Sequence, residues 1–427
     1  MNEFDQPVDI ENELGTTSAP RRQAALIFIF ITVVLDILAL GVIIPVLPKL
    51  VVQLSHGSTV HGAAIYGWFV TVWAAMQFVF SPVLGAISDR YGRRPVVLIS
   101  NFGLGLDYIL MALAPGLGLL FVGRVISGIC AASISAASAY IADITPHEKR
   151  AAGYGMLGAA FGLGFVVGPA LGGILGHYHL RLPFWVAAGL SLTNAMYGLF
   201  VLPESLKKEN RSAFNWKRAN PIGSLKFIRS HQNLTGLATV AFLSNLAHVA
   251  LPSAFVLFAG YRYNWNERTV GLVLAAVGVC ASVVQGGLIR PATKRLGERI
   301  CLLLGLTFGV LGFAAYGLAT TGTQFVLAIP IIALWGLTGP SVQALMTKRL
   351  AANEQGRLQG ALTSLNGLAN MIGPPIFTGI FALFIGPHAP IHLPGAPFLL
   401  GSLVMVVALP LAWHYALPIT PEPVAAV

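Results

Sequence analysis

Twelve mostly apolar stretches dominate this chain, at about residues 25–47, 63–87, 95–114, 118–142, 151–176, 183–202, 233–259, 269–289, 300–319, 324–346, 358–385 and 396–416. Each is long enough for a helix to cross a hydrocarbon core about 30 Å thick. Inside lipid only helices and closed barrels satisfy their own backbone. Runs such as LIFIFITVVL lack the alternation a barrel strand needs. The expected fold is an all-α membrane protein with twelve transmembrane helices. Composition agrees, with 10% charged residues against about 25% in soluble proteins.

The net charge of +10 raises the question of a nucleic-acid partner, and its placement answers it. Of 26 Lys and Arg, 21 precede the first span or lie in the connections after even-numbered spans. The other connections hold only Lys49, Arg181, Arg262 and Arg268, and Arg124 lies inside the fourth span. This is the positive-inside bias. It implies cytoplasmic N and C termini and a lipid partner, not a nucleic acid. Residues 1–24 form a polar tail without the basic, short apolar pattern of a cleaved signal. Cys130, Cys280 and Cys301 stand apart without metal-ligand spacing, so no metal or disulfide is expected.

A basic connection at 203–232 divides the spans six and six, giving expected bundles at 25–202 and 233–417 and a tail at 418–427. Internal repetition supports the division: Gly168-Pro169 recurs as Gly373-Pro374, and Glu148 has a counterpart at Glu354. Between the second and third spans lies GAISDRYGRRP, with a degenerate echo at Lys294-Arg295-Leu296-Gly297. Two pseudo-symmetric bundles rocking around a midplane cavity form one transporter architecture.

GAISDRYGRRP resembles the signature between helices 2 and 3 of the major facilitator superfamily, and GPALGG is similar to its antiporter motif. LDILALGVIIPVLP, GLDYILMALAP, LFVGRVISGI and ASAYIADITP resemble the tetracycline-efflux group of its twelve-helix drug:proton antiporters. The resemblance implies that Gly85, Asp89, Gly92, Arg93, Arg94 and Asp143 form a cytoplasmic gate latching the bundles. It likewise assigns Gly164, Gly168, Pro169, Gly172 and Gly173 to tight helix packing that limits leak. From the residues themselves, Gly85 and Gly92 would let backbones approach closely in the turn, and Asp89 and Arg93 are close enough to pair. The arginines alone would also hold this loop inside.

An ionisable residue at the centre of a span costs at least about 2.5 kcal/mol, so it needs a partner and often has a function. Asp36 lies midway along the first span; Asp107 and Arg124 lie at similar depth in the third and fourth, able to pair or to share a watery cavity. The resemblance gives all three coupling or substrate roles; a structural ion pair is the bland alternative. His248, Gln285 and Gln343 are further candidates for the cavity, and Trp335, Phe69 and Phe78 could stack a planar ligand or simply pack. Tetracycline exporters typically carry a carboxylate and a histidine where this chain has Gly309 and Ala281, and acidic residues where it has Gly260 and Tyr261. The expected function is export of small amphipathic compounds in exchange for protons, by a monomer in a bacterial inner membrane. A facilitator or importer of a sugar or metabolite is the alternative. The chain has no Walker A loop, nucleophile elbow or metal motif, so neither an enzyme nor a cofactor is expected.

Overall fold

The computed structural model describes residues 19–131, 134–145, 150–206, 208–212, 227–228, 230–351 and 354–417. The expected tails at 1–18 and 418–427, most of the linker and Glu148 lie outside these residues. The first eight helices are α1 (Ala19–Ile43), α2 (Leu47–Leu54), α3 (Thr59–Tyr91), α4 (Arg93–Leu113), α5 (Leu117–Ala131), α6 (Ile134–Ile144), α7 (Arg150–Tyr178) and α8 (Leu182–Val201). After the linker come α9 (Gln232–Tyr263), α10 (Glu267–Val283), α11 (Ile289–Leu318), α12 (Gly322–Leu327), α13 (Ile329–Ala333), α14 (Thr338–Thr347), α15 (Gln355–Ile385) and α16 (Ala396–Tyr415). Side chains cap several starts: Ser58 Oγ accepts from His61 N at 3.2 Å, and Thr321 and Gln324 make a reciprocal capping box.

Eleven helical stretches among the described residues are long and apolar enough to cross a membrane, so this is a multi-pass membrane protein. Two expected spans run together in one stretch of 52 residues, Glu267–Leu318. It is interrupted by a π turn at Val284–Leu288 and by Gly297, whose φ of 78° and ψ of 163° break the helix. The expected tenth span is also broken: α12, α13, a 3-10 turn at Leu334–Leu337 and α14 replace one helix.

The described helices have two ends, one carrying Arg93 and Lys348 (the basic end) and one opposite. Buried apolar residues form a single core at the opposite end, drawing on both halves of the chain, from Ile43, Phe69 and Tyr108 to Phe258, Phe325 and Phe381. At the basic end that core divides. One cluster, including Ile29, Val97 and Tyr140, belongs wholly to the first half, and another, including Leu237, Leu306 and Met346, to the second half with Phe227 and Ile228 of the linker. The halves are therefore fused at one end and separate at the other.

Two helix pairs make the fusion, α7 with α10 and α3 with α15. In the first, backbones touch: a Cβ on Gly173 would meet Gly271 Cα at 2.8 Å, and one on Gly271 would meet the carbonyl of Pro169. In the second, Thr71 Oγ1 donates to the Met371 carbonyl at 3.0 Å, and Gly67 lies against Thr378 and Pro375. Lys49 adds an ion pair to Glu267 at 2.9 Å across the same end. Toward the basic end a Cβ on Gly155, Gly158, Gly286, Gly287 or Gly356 would meet nothing within 4 Å. The halves diverge there.

Candidate functional site

The polar groups within the spans fall into two chemically different sets, one in each half. The first half carries the in-span charges. Asp36, from α1, accepts a hydrogen bond from Asn194 Nδ2 of α8 at 2.9 Å. Asn101 of α4 is oriented by its neighbours with the amide nitrogen on the Asp36 carboxylate, at 2.9 and 3.0 Å. Asn194 Nδ2 also reaches the Thr32 carbonyl at 2.9 Å, so two amides from two helices clamp one carboxyl. Neither asparagine was singled out by sequence; an amide within an apolar stretch was the only available signal.

Asp107 and Arg124 are 1% and 6% exposed, and of the two arrangements open to them from the sequence, a direct pair is not the one found. No ion pair joins them, and neither oxygen of Asp107 accepts a hydrogen bond among the described residues. The guanidinium instead lies over the Trp73 ring, 5.5 Å from its centroid. A Cβ on Gly123 would come within 2.9 Å of Asp107 Oδ1, so the glycine of α5 leaves the carboxylate its space. Gly123, next to Arg124 in the chain, does lie against Asp107, but side-chain direction depends on the rotation of each helix.

In the second half, no Asp, Glu, Lys or Arg lines the cavity beside His248 among the described residues. His248 of α9 stacks on Trp335 with ring centroids 4.4 Å apart and planes 6° from parallel. Trp335 Nε1 donates to Ser244 Oγ at 2.8 Å, which fixes the indole. Gln285 lies in the π turn beside them, and all three line a cavity of about 170 Å³ with Ala281. Gln343 is placed apart, donating to Gln359 Oε1 at 2.8 Å, and Asn370 donates to the Asn366 carbonyl at 2.9 Å. Phe69 packs edge-on to Phe121 in the core, and Phe78 lies against Gly367. All three cysteines are free.

At the basic end, Arg93 pairs with Asp89 and donates from Nε to Asp143 Oδ2 at 3.1 Å. Gly92, at φ 110° and ψ 158°, makes the turn in a region that side chains avoid. Gly85 makes no close approach, contrary to expectation, because a Cβ there would meet nothing within 4 Å. An unforeseen residue closes the cluster: Glu204 accepts from the Arg93 backbone N–H at 2.8 Å and from that of Arg94 at 3.3 Å. It caps the start of α4, where free N–H groups favour an anion. Ser205 Oγ donates to Asp143 at 3.0 Å, so the start of the linker straps the cluster from within the first half. Arg94 donates to the Leu199 carbonyl. None of these contacts reaches the second half.

The second half repeats the device with its charges reversed. Glu298 pairs with Lys348 at 2.6 Å, and Gly297 turns the chain just before it. Each position follows its counterpart by 205 residues: 92 to 297, 93 to 298 and 143 to 348. The motif glycines of α7 also fall into place. Gly164, Gly168 and Gly172 carry α7 onto Ile37, Gly41 and Val42 of α1, while Gly173 faces α10 and Pro169 lends its carbonyl to that seam.

Two halves of apolar spans, joined at one end and parted at the other, with ionisable and amide side chains inside the spans, are the architecture of a membrane transport protein. The model of the Major Facilitator Superfamily matches residues 29–374, and the chain belongs to that family, whose members are transporters and not enzymes. It is 37% identical to "Tetracycline resistance protein, class C" of Escherichia coli, over 90% of this chain and 96% of that one. It is 36% identical to "Tetracycline resistance protein, class G" of Vibrio anguillarum, over 91% and 97%. Among solved structures, a bacterial homolog to the human lysosomal transporter Spinster, inward-facing and unoccupied, shares the fold. Its TM-score is 0.74 at 16% identity, covering 93% of this chain and 98% of that one.

Proposed function

We propose that this protein exports small amphipathic compounds from a bacterial cytoplasm in exchange for protons, by alternating access between bundles 25–202 and 233–417. The reading takes the basic end as cytoplasmic, in line with the positive-inside bias. It needs twelve crossings, and the 52-residue stretch Glu267–Leu318 supplies two. At 1.5 Å per residue that stretch would extend about 78 Å, more than twice the hydrocarbon thickness. The division of one core into two toward the basic end then corresponds to an inward-facing state. The whole-chain relation to proteins named for tetracycline resistance supports export of a drug-like compound.

The observation that carries the coupling is Asp107: a buried carboxyl whose oxygens accept no hydrogen bond among the described residues. Asp36 is the second coupling group, held by amides that can serve its protonated or ionised form. Arg124 stays beside Trp73 as the fixed positive charge of this half. The glycine seam of α7 and α10 closes the outer side against leak.

The test is proton release from energised inverted vesicles, read with a pH-sensitive dye as compounds are added. A substrate drains the gradient through the wild type and fails to do so through Asp107→Asn. Substrate exchange in both proteins without proton movement refutes antiport and favours a facilitator.

A further inference from the structure

We infer that the His248–Trp335 stack is one wall of a subsite for a flat, uncharged aromatic ring system bound without a metal ion. The inference rests on the transport reading above and names the ligand class of its cavity. His248 is exposed although one of its faces lies on Trp335, so the other face is open to the cavity. A ligand ring can continue the stack there, since offset aromatic pairs are favoured beyond the area they bury.

Two irregular backbone segments meet at this place. The π turn Val284–Leu288 carries Gln285, and the 3-10 turn Leu334–Leu337 carries Trp335. Non-helical backbone at membrane depth is tolerated where it lines a cavity, and π turns recur at functional sites. The rest of the lining is apolar, with Leu251, Val277 and Ile332. No Asp, Glu, Lys or Arg lines the cavity among the described residues. A charged ring would be desolvated there without a counter-ion, whereas a carbonyl or N–H on its edge can bond to Gln285 or His248.

Gly309 makes the indole position available. A Cβ at 309 would lie 2.9 Å from Trp335 Cδ1 and would strike the Met405 sulfur. Any side chain on α11 at this point displaces the platform, so Gly309 determines specificity by leaving space. The cavity of about 170 Å³ is below the range of about 300–1,000 Å³ usual for a whole drug-sized ligand. It therefore holds part of a ligand, with the remainder in the space between the halves.

The experiment uses the full chain in lipid nanodiscs and acridone, a neutral, fluorescent, planar tricycle. Saturable binding is expected, equal with magnesium and with a chelator. Trp335→Leu should weaken it about tenfold, within the range of a lost stacking contact. Trp335→Phe should stay within about threefold, and Gly309→Asp should resemble Trp335→Leu. Gln285→Leu, which leaves the stack intact, should weaken binding of acridone and spare that of anthracene, which has no polar edge. Wild-type binding that requires magnesium, no wild-type binding, or unchanged affinity in Trp335→Leu overturns the inference. Acridone binding as described with no compound draining the proton gradient removes the exporter reading and keeps the subsite. A different compound draining the gradient while acridone fails to bind does the reverse.

Discussion

Replacing Lys49 with methionine removes a tie between the halves at their fused end. Lys49 Nζ lies 2.9 Å from Glu267 Oε1 and donates to the Trp265 carbonyl, also at 2.9 Å. At that separation, with an effective dielectric of about 20, the gross attraction is about 6 kcal/mol. Desolvation and side-chain ordering cancel most of it. The side chains are 22% and 16% exposed, so the pair falls between exposed bridges, at about 0–1 kcal/mol, and losing a buried partner, at about 3–5. A net of about 1.5–2 kcal/mol is expected, which shifts the equilibrium toward opening of this end by about 12- to 30-fold. Spin labels at His61→Cys and Thr320→Cys, in a background without the three native cysteines, read the distance across that end. The ratio of long- to short-distance populations should rise about 12- to 30-fold in Lys49→Met, and less in Glu267→Gln, which keeps the bond from Lys49 to the Trp265 carbonyl. The double variant should shift no further than Lys49→Met alone, because that variant already removes both contacts. An unchanged distance distribution, or additive shifts, would refute the latch.

The glycine seam gives a steric prediction. Gly173→Leu forces α7 from α10, because even a Cβ at 173 would come within 2.8 Å of Gly271 Cα, so vesicles carrying it should lose transport and leak protons in a passive pH-decay assay. Glu204→Ala should remove the cap of α4 and lower stability by about 1 kcal/mol, seen as an earlier unfolding midpoint in detergent, with no change in substrate affinity. Exchanging the charges of the second-half pair (Glu298→Lys with Lys348→Glu) should retain expression and thermal stability, while either single change lowers both. Asn194→Leu, which strips a donor from Asp36, should alter the pH profile of transport more than its rate at the optimum.

Much of this protein was legible from its sequence because lipid reads local properties. Length and hydropathy mark a span without reference to any other span, and charge bias orders the loops one at a time. The motif around Gly92 and the echo at Gly297 were visible for the same reason: a turn is decided by a few adjacent residues. Only the tertiary structure decided which faces meet. The clamp on Asp36 comes from Asn101 and Asn194, 65 and 158 residues away. Arg124 chose Trp73 over Asp107, and Trp335 found room only because residue 309, on another helix, has no side chain. In spans that are apolar nearly all round, hydropathy carries little information about helix rotation, so close packing and a few buried polar contacts set the partners.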